Sequence, residues 1–444
     1  MPVLPIDTGR YGTVEMLRVF EEEARLQKLL DVEAALALAH AEVGNIPQKD
    51  AEKIANMASL EFVKLDRVKA IEKEIKHDIA SLVRALAEVC GQSGSFVHLG
   101  ATSYDIVDTA NALQLKAALD LIEKKLVRFR EILRKKVLEH KKTIIMGRTH
   151  GQHALPTTLG FKFAVWMSEI SRHSQRLKES KKRVVVGKIS GAIGTQASLG
   201  EHATRIQELV MKRLNIKAAE ISTQIVQRDR HAELVCLIAI IASSMENMAT
   251  EIRQLQRPEI GELFESFERT KQVGSSTMPH KRNPETCERI CGLARVVRGL
   301  VVPALENVVT WHERDLTQSS AERFVIPEAC ILVDYLLLLM TNVVAHLRVD
   351  KKQMLKNIDL TQGRAMSEAV MMALTRKGVN RQEAHELLRK LTIKSELENQ
   401  RFKDSLLEDE FVCGKLSEKE IDEALNPENY IGTVVQQVDS IFKT

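Results

Sequence analysis

Residues 104–142 read YDIVDTANALQLKAALDLIEKKLVRFREILRKKVLEHKK. Leu115, Leu119, Ile122, Leu126, Phe129, Leu133 and Val137 recur there at intervals of three and four, the spacing that lines up one face of an α-helix. The stretch contains no proline or glycine and is rich in Ala, Leu, Glu and Lys, all good helix formers. A helix of that length runs about 55 Å. It is too long for an ordinary globular helix and predicts a bundle or coiled-coil-like core. Segments 229–256, 285–310 and 326–347 continue the pattern, and convincing β-alternation is absent. The expectation is an all-α chain with a shorter-helix region over 1–97, a long central helical bundle over 98–345 and a smaller helical unit over 346–444.

The bounds are consistent with this. The chain has 444 residues, 44% of them hydrophobic but only 4% aromatic, so aliphatic side chains must fill the core. Charged residues make up 28% and balance to a formal net charge of +4, too mild for a nucleic-acid partner. No apolar run of membrane-spanning length and no signal peptide is read from the sequence, so the expected partners include no membrane. The six cysteines, Cys90, Cys236, Cys287, Cys291, Cys330 and Cys413, are too sparse for a disulfide framework and fit a reducing cytoplasm. Cys287 and Cys291, one helical turn apart, read as small apolar packers.

Against this background, GSSTMPHKRNP at 274–284 stands out. Pro279 and Pro284 forbid a helix there. Asn283 is a suitable N-cap and Pro284 suits a first helical position, so the polar end of the stretch is delivered to a helix N-terminus. Free backbone N–H groups there, with Lys281 and Arg282 alongside, suggest a carboxylate site. Further polar patches interrupt the helices: HLGATSYDIVDT at 98–109, GRTHGQHALPTT at 147–158, GKISGAIGT at 187–195, STQIVQRDRH at 222–231 and WHERDLTQSSAER at 311–323. Thr102 and Ser103 could cap a helix, and Ser319 with Glu322 matches a capping box. Gly187, Gly191 and Gly194 do not match a phosphate loop. His150 and His153 have no carboxylate nearby, which argues against a metal. His77 lies off the stripe formed by Ile71, Ile75, Ile79, Leu82 and Leu86. With no nucleotide-cofactor motif and no Ser-His-Asp order, cofactor-free acid–base chemistry remains. An elimination releasing fumarate needs such chemistry, because the dianionic intermediate demands hydroxyls, amides and cations around it.

GSSTMPHKRNP resembles the signature loop of the fumarase/aspartase superfamily, whose general form is GSSxMPxKxNP. Within it the chain is similar to the adenylosuccinate lyase family from end to end, through Arg10–Tyr11, His77–Asp78, the patches above and NPENYIG at 426–432. In the opening, YGTVEM follows Arg10 where the family often has a Ser-Pro pair. The resemblance implies cleavage of adenylosuccinate to AMP and fumarate, and of succinylated aminoimidazole carboxamide ribotide (SAICAR) to AICAR, without cofactor or metal. It implies Ser275 as the base and His150 as the acid, aided by His77. It places Thr102, Ser103, Ser276, Lys281 and Asn283 on the succinyl carboxylates and Gln224 on substrate orientation. Arg10, Tyr11, Arg289, Arg314, Ser320 and Arg323 would hold the nucleotide and its phosphate, with Lys76, Asp78 and Arg282 completing the substrate-binding set. It also implies a homotetramer with sites shared between subunits. Argininosuccinate lyases share the loop but usually carry a Gln-Lys pair at His280–Lys281. Carboxymuconate cycloisomerases lack the histidine that His150 matches.

Overall fold

The computed structural model describes residues 4–267 and 277–442. The stripe of the long helix is its buried face: Leu115, Leu119, Ile122, Leu126, Phe129, Leu133 and Val137 are at most 1% exposed. The helix runs Ser103–Glu139. Other long helices span Leu159–Val184, Asp229–Gln256 and Thr317–Ala345. The last continues through Pro327, so it begins well before the expected position 326. Proline removes only one intrahelical bond, from its own nitrogen to the carbonyl four residues earlier. The helices Asp229–Gln256 and Thr317–Ala345 are also long and apolar enough to cross a bilayer, but two-thirds of each apolar window is buried within the protein.

Two compact units are present, each assembled from three stretches of chain. The first takes residues 1–127, 172–246 and 290–339. In it the helix Glu22–Glu42 packs on Gln48–Met57 and Ala203–Leu214, and Leu65–Ile75 packs on Asp78–Cys90, around an aliphatic core that includes Leu30, Leu36, Ile54, Leu82, Leu86 and Ile206. The second takes residues 128–171, 247–289 and 340–444. Its C-terminal helices close around Val370, Leu374, Phe402, Leu406 and Ile421.

The expected lack of β structure needs correction. Among the described residues three two-stranded sheets are formed: Ile144–Thr149 with Gln152–Thr158, Val186–Gly187 with Lys217–Ala218, and Leu263–Phe264 with Arg348–Val349. The first is an antiparallel hairpin and takes up the 147–158 patch.

Candidate active site

In the first unit the helix Leu65–Ile75 stops at Lys76, whose φ of 56° lies in the left-handed region. His77 follows as the N-cap of Asp78–Cys90, its Nδ1 accepting the Ala80 N–H at 3.2 Å. A ring nitrogen that accepts leaves the neutral ring's proton on Nε2, so His77 presents a donor there. Asp78 sits in the first turn, accepting the Ile79 N–H at 2.8 Å and Arg323 Nη2 at 2.8 Å. The sharp junction thus presents Lys76, His77 and Asp78 together at one wall of a cavity of about 800 Å³. Ser103, Arg314 and Arg323 line the same cavity.

Ser103 opens the long helix, and the preceding Thr102 N–H is bonded to Asp105 at 2.8 Å. Asp105 is fully buried and also accepts Ser190 N–H at 2.8 Å, Gly191 N–H at 3.0 Å and the Lys188 ammonium. The glycine-rich 187–195 patch therefore wraps an internal carboxylate, and Gly191 has the φ of +77° that this wrap requires.

Arg228 forms a second buried node. Its guanidinium is bidentate on Asp108, at 2.8 and 2.9 Å, and on Glu322, at 2.7 and 3.1 Å. Burial alone would lower the Arg228 pKa, but the two carboxylates overcome it and raise it. Burial would likewise raise Glu322, whereas His231 and Arg228 more than offset it and hold that carboxyl below its usual range. Glu322 is thus not part of the expected capping box. The helix instead starts at Thr317, whose N–H goes to Asp315 at 2.7 Å, while Ser319 accepts the Tyr104 hydroxyl at 2.8 Å.

Arg314 lies over the Tyr104 ring, 3.6 Å from its centroid, and donates through Nη1 to Gln224 Oε1 at 2.8 Å. Gln224 is held in turn by the Ala192 carbonyl at 2.8 Å. The Arg314 Nε is buried with no partner among the described residues. Arg10 is exposed, stacked at 5.7 Å on Tyr11, and neither residue lines the cavity; nor do Thr102, Gln224 or Ser320.

The second unit holds the other expected residues. His150 and Gly151 form the two-residue turn between Thr149 and Gln152, with φ of 53° and 77°. Positive φ at both central positions defines the type I′ hairpin turn, which leaves the His150 side chain exposed at the tip. His153 lies opposite Arg148 on the arms, so the two histidines do not share a site. Burial first, and the Arg148 charge second, lower the His153 pKa. Arg148 is bidentate on the buried Glu262, at 2.8 and 2.7 Å, and Asn357 donates to the same carboxylate at 2.8 Å, which anchors the hairpin. No group of three or more His, Cys, Asp and Glu among the described residues is placed to hold a metal.

Ser275 and Ser276 lie outside the described residues. Lys281 and Arg282 are exposed, with the Arg282 guanidinium 5.3 Å from the Phe267 ring centroid. Asn283 and Arg289 are half-buried. The adjoining helix runs Glu285–Gly299, one residue later than expected, with the Pro284 carbonyl accepting Glu288 N–H at 2.9 Å. Its N-terminus is not the open anion site that the sequence suggests. Glu265 occupies it, accepting Thr286 N–H at 3.2 Å and Cys287 N–H at 2.6 Å.

The sequence reading missed Tyr104, the platform under Arg314, although it lies in the 98–109 patch. It also missed Arg25, which lines the cavity from a helix whose sequence carries no signal of a site.

Comparison with known proteins bears on both fold and site. The family described as Lyase matches residues 9–299. The structure of a fumarate lyase from Mesorhizobium sp. BNC1 superposes with a TM-score of 0.91 and 31% identity, covering all of both chains. A 3-carboxy-cis,cis-muconate lactonizing enzyme from Pseudomonas putida gives 0.90 and 33%, covering 99% of this chain and 98% of that one. Fold and cavity thus define a lyase of the fumarase/aspartase superfamily. The domain described as adenylosuccinate lyase C-terminus matches residues 363–441. The adenylosuccinate lyase of Methanocaldococcus jannaschii is 51% identical over 100% of this chain and 96% of its own. That of Pyrococcus abyssi is 52% identical over 99% and 97%. The chain belongs to the adenylosuccinate lyase family.

Proposed function

We propose that the chain catalyses cofactor-free β-elimination, releasing fumarate from adenylosuccinate to leave AMP and from SAICAR to leave AICAR, in purine nucleotide biosynthesis. The observation that carries this reading is the 51% identity to an adenylosuccinate lyase across the whole chain. The cavity lined by Lys76, His77, Ser103, Arg314 and Arg323 supports it, since a substrate with two carboxylates and a phosphate needs such cations and donors.

In this reading Ser275 removes the proton next to the β-carboxylate. A serine is a weak base unless its alkoxide is stabilised, and the neighbouring cations supply that stabilisation. His150 gives a proton to the departing purine nitrogen, and exposure at the hairpin tip leaves its ring free to reach a ligand. His77 assists through its Nε2–H. Thr102, Ser103, Ser276, Lys281 and Asn283 hold the carboxylates, and Gln224 orients the substrate. Arg10, Tyr11, Arg289, Arg314, Ser320 and Arg323 hold the nucleotide, with Lys76, Asp78 and Arg282 beside them.

The working form is a cytoplasmic homotetramer whose sites draw on more than one subunit. Val302, Leu305, Val309, Trp311, Leu316 and Phe324 are all exposed, which supports burial against other copies of the chain. The test is direct. The purified protein, given adenylosuccinate, SAICAR and argininosuccinate separately, releases fumarate from the first two only. Fumarate from argininosuccinate alone, or from none of them, overturns the reading.

A further inference from the structure

The cavity carries an uneven charge balance. Arg25, Lys76, Arg314 and Arg323 line it together with Glu22, Glu72, Asp78 and Glu322. Three of these carboxylates are engaged. Glu22 accepts from Lys69, and Glu322 is bidentate on Arg228; neither of those cations lines the cavity. Asp78 is paired with Arg323. What remains is Arg25, Lys76 and Arg314 against Glu72 and a Glu322 that shares its one guanidinium with Asp108, which still leaves positive charge in excess.

Arg25 lies in the first turn of the helix Glu22–Glu42 and is half-buried. Its side chain makes no hydrogen bond or ion pair among the described residues. Burial first, and the charge of Arg323 second, lower its pKa, outweighing the opposing pull of Asp78 and Glu72, neither of which is hydrogen-bonded to it. Arg314 repeats the pattern with its buried, unpartnered Nε. A buried donor left without an acceptor is costly, and the Arg314 Nε, lining one cavity with the unpaired Arg25 guanidinium, points to a ligand that supplies acceptors. The ligand must carry negative charge and several oxygens. A phosphate monoester meets both needs, because its three terminal oxygens suit planar guanidinium forks.

We infer that Arg25 is a further substrate-binding residue, taking the phosphate of the nucleotide together with Arg314. This rests on the nucleotide substrate proposed above. It adds a residue from the N-terminal helical region and gives the cavity's charge surplus a purpose. A succinyl group also carries two charges, but it spreads them over two separated carboxylates, and fumarate serves as its probe.

The test measures the affinities of AMP and fumarate by titration calorimetry for the wild type, Arg25→Gln and Arg25→Lys, with adenylosuccinate kinetics alongside. Arg25→Gln should weaken AMP about 10- to 100-fold, the scale of a lost charged hydrogen bond. Fumarate affinity should stay within about twofold, since a local contact is lost and the fold is not. Arg25→Lys should restore part of the AMP affinity. The Michaelis constant for adenylosuccinate should rise with AMP's dissociation constant while kcat changes little. Unchanged AMP affinity, no AMP binding by the wild type, or equal weakening of AMP and fumarate overturns the assignment. If the wild type cleaves no adenylosuccinate yet loses AMP selectively in Arg25→Gln, the reaction proposal fails and Arg25 stands.

Discussion

The polar breaks at 187–195 and 277–284 look alike in the sequence, each with small residues, a lysine and a turn between helices, yet they are built in opposite ways. In the first, Lys188 is 1% exposed and its ammonium meets Asp105, which also collects three backbone N–H groups. In the second, Lys281 and Arg282 are exposed, and the helix N-terminus beside them is filled by Glu265. A buried charge is tolerable only when its partners surround it, so Lys188 is committed to Asp105 and is not available to a ligand. The exposed cations of the second remain available. Polar composition marks both as special, but burial decides which is locked into the scaffold and which stays exposed.

The sharpest way to break this contrast is at the other buried node. Arg228→Met leaves Asp108 and Glu322 buried beside an apolar side chain, and stability should fall by about 3–5 kcal/mol in chemical denaturation. A loss below about 1 kcal/mol, the scale of an exposed pair, would mean the node is not what holds these patches. Glu265→Ala probes the second break. It removes the carboxylate from the Glu285–Gly299 N-terminus and should cost about 1 kcal/mol, the value of a helix cap. No measurable change would return that terminus to the open site the sequence suggested.

A smaller effect, visible through pH, concerns His98, whose Nδ1 is 2.6 Å from the buried Glu33. Burial alone would lower the His98 pKa, but the Glu33 carboxylate outweighs it and the net shift is upward. The folded state then holds the proton more tightly than the unfolded chain. The stabilisation is present below the ordinary value of about 6.5 and is lost as pH rises through the raised value. The difference in melting temperature between wild type and His98→Gln should therefore be larger at pH 6 than at pH 8.5. A difference that does not change with pH would contradict the pairing.

The fold class was legible because the stripe from Leu115 to Val137 is long and uninterrupted, and burial follows it residue by residue. The hairpin was not, because Gly147 and Pro156 break its alternation and its only turn signal is the pair His150–Gly151. Pro327 concealed the true start of the Thr317–Ala345 helix, since a proline is read as a boundary even where it costs one bond. Within the site, Ser103, Arg314 and Arg323 stood in patches that the helical pattern had already set apart, whereas Lys76, His77 and Asp78 sat in a helical stretch and were marked only by the family resemblance. The partners of Asp105 and Arg228 were not legible, as they come from 83 and 120 residues away and only the folded chain brings them together. Arg25 was hidden for the same reason, an ordinary helical arginine until the cavity forms around it.

Lys188→Met and Lys281→Met, prepared side by side with the wild type, put the central contrast to the most direct test. Thermal denaturation and fumarate release from adenylosuccinate are followed on the same samples, with turnover assayed well below every melting transition. The account predicts that Lys188→Met loses about 3–5 kcal/mol of stability by uncovering Asp105. It predicts that Lys281→Met melts with the wild type and loses about 10-fold or more in kcat/KM, the scale of one charged contact to substrate. Turnover of Lys281→Met within about twofold of wild type, or a melting shift as large as that of Lys188→Met, would contradict it, given that a ten-fold rate change corresponds to about 1.4 kcal/mol.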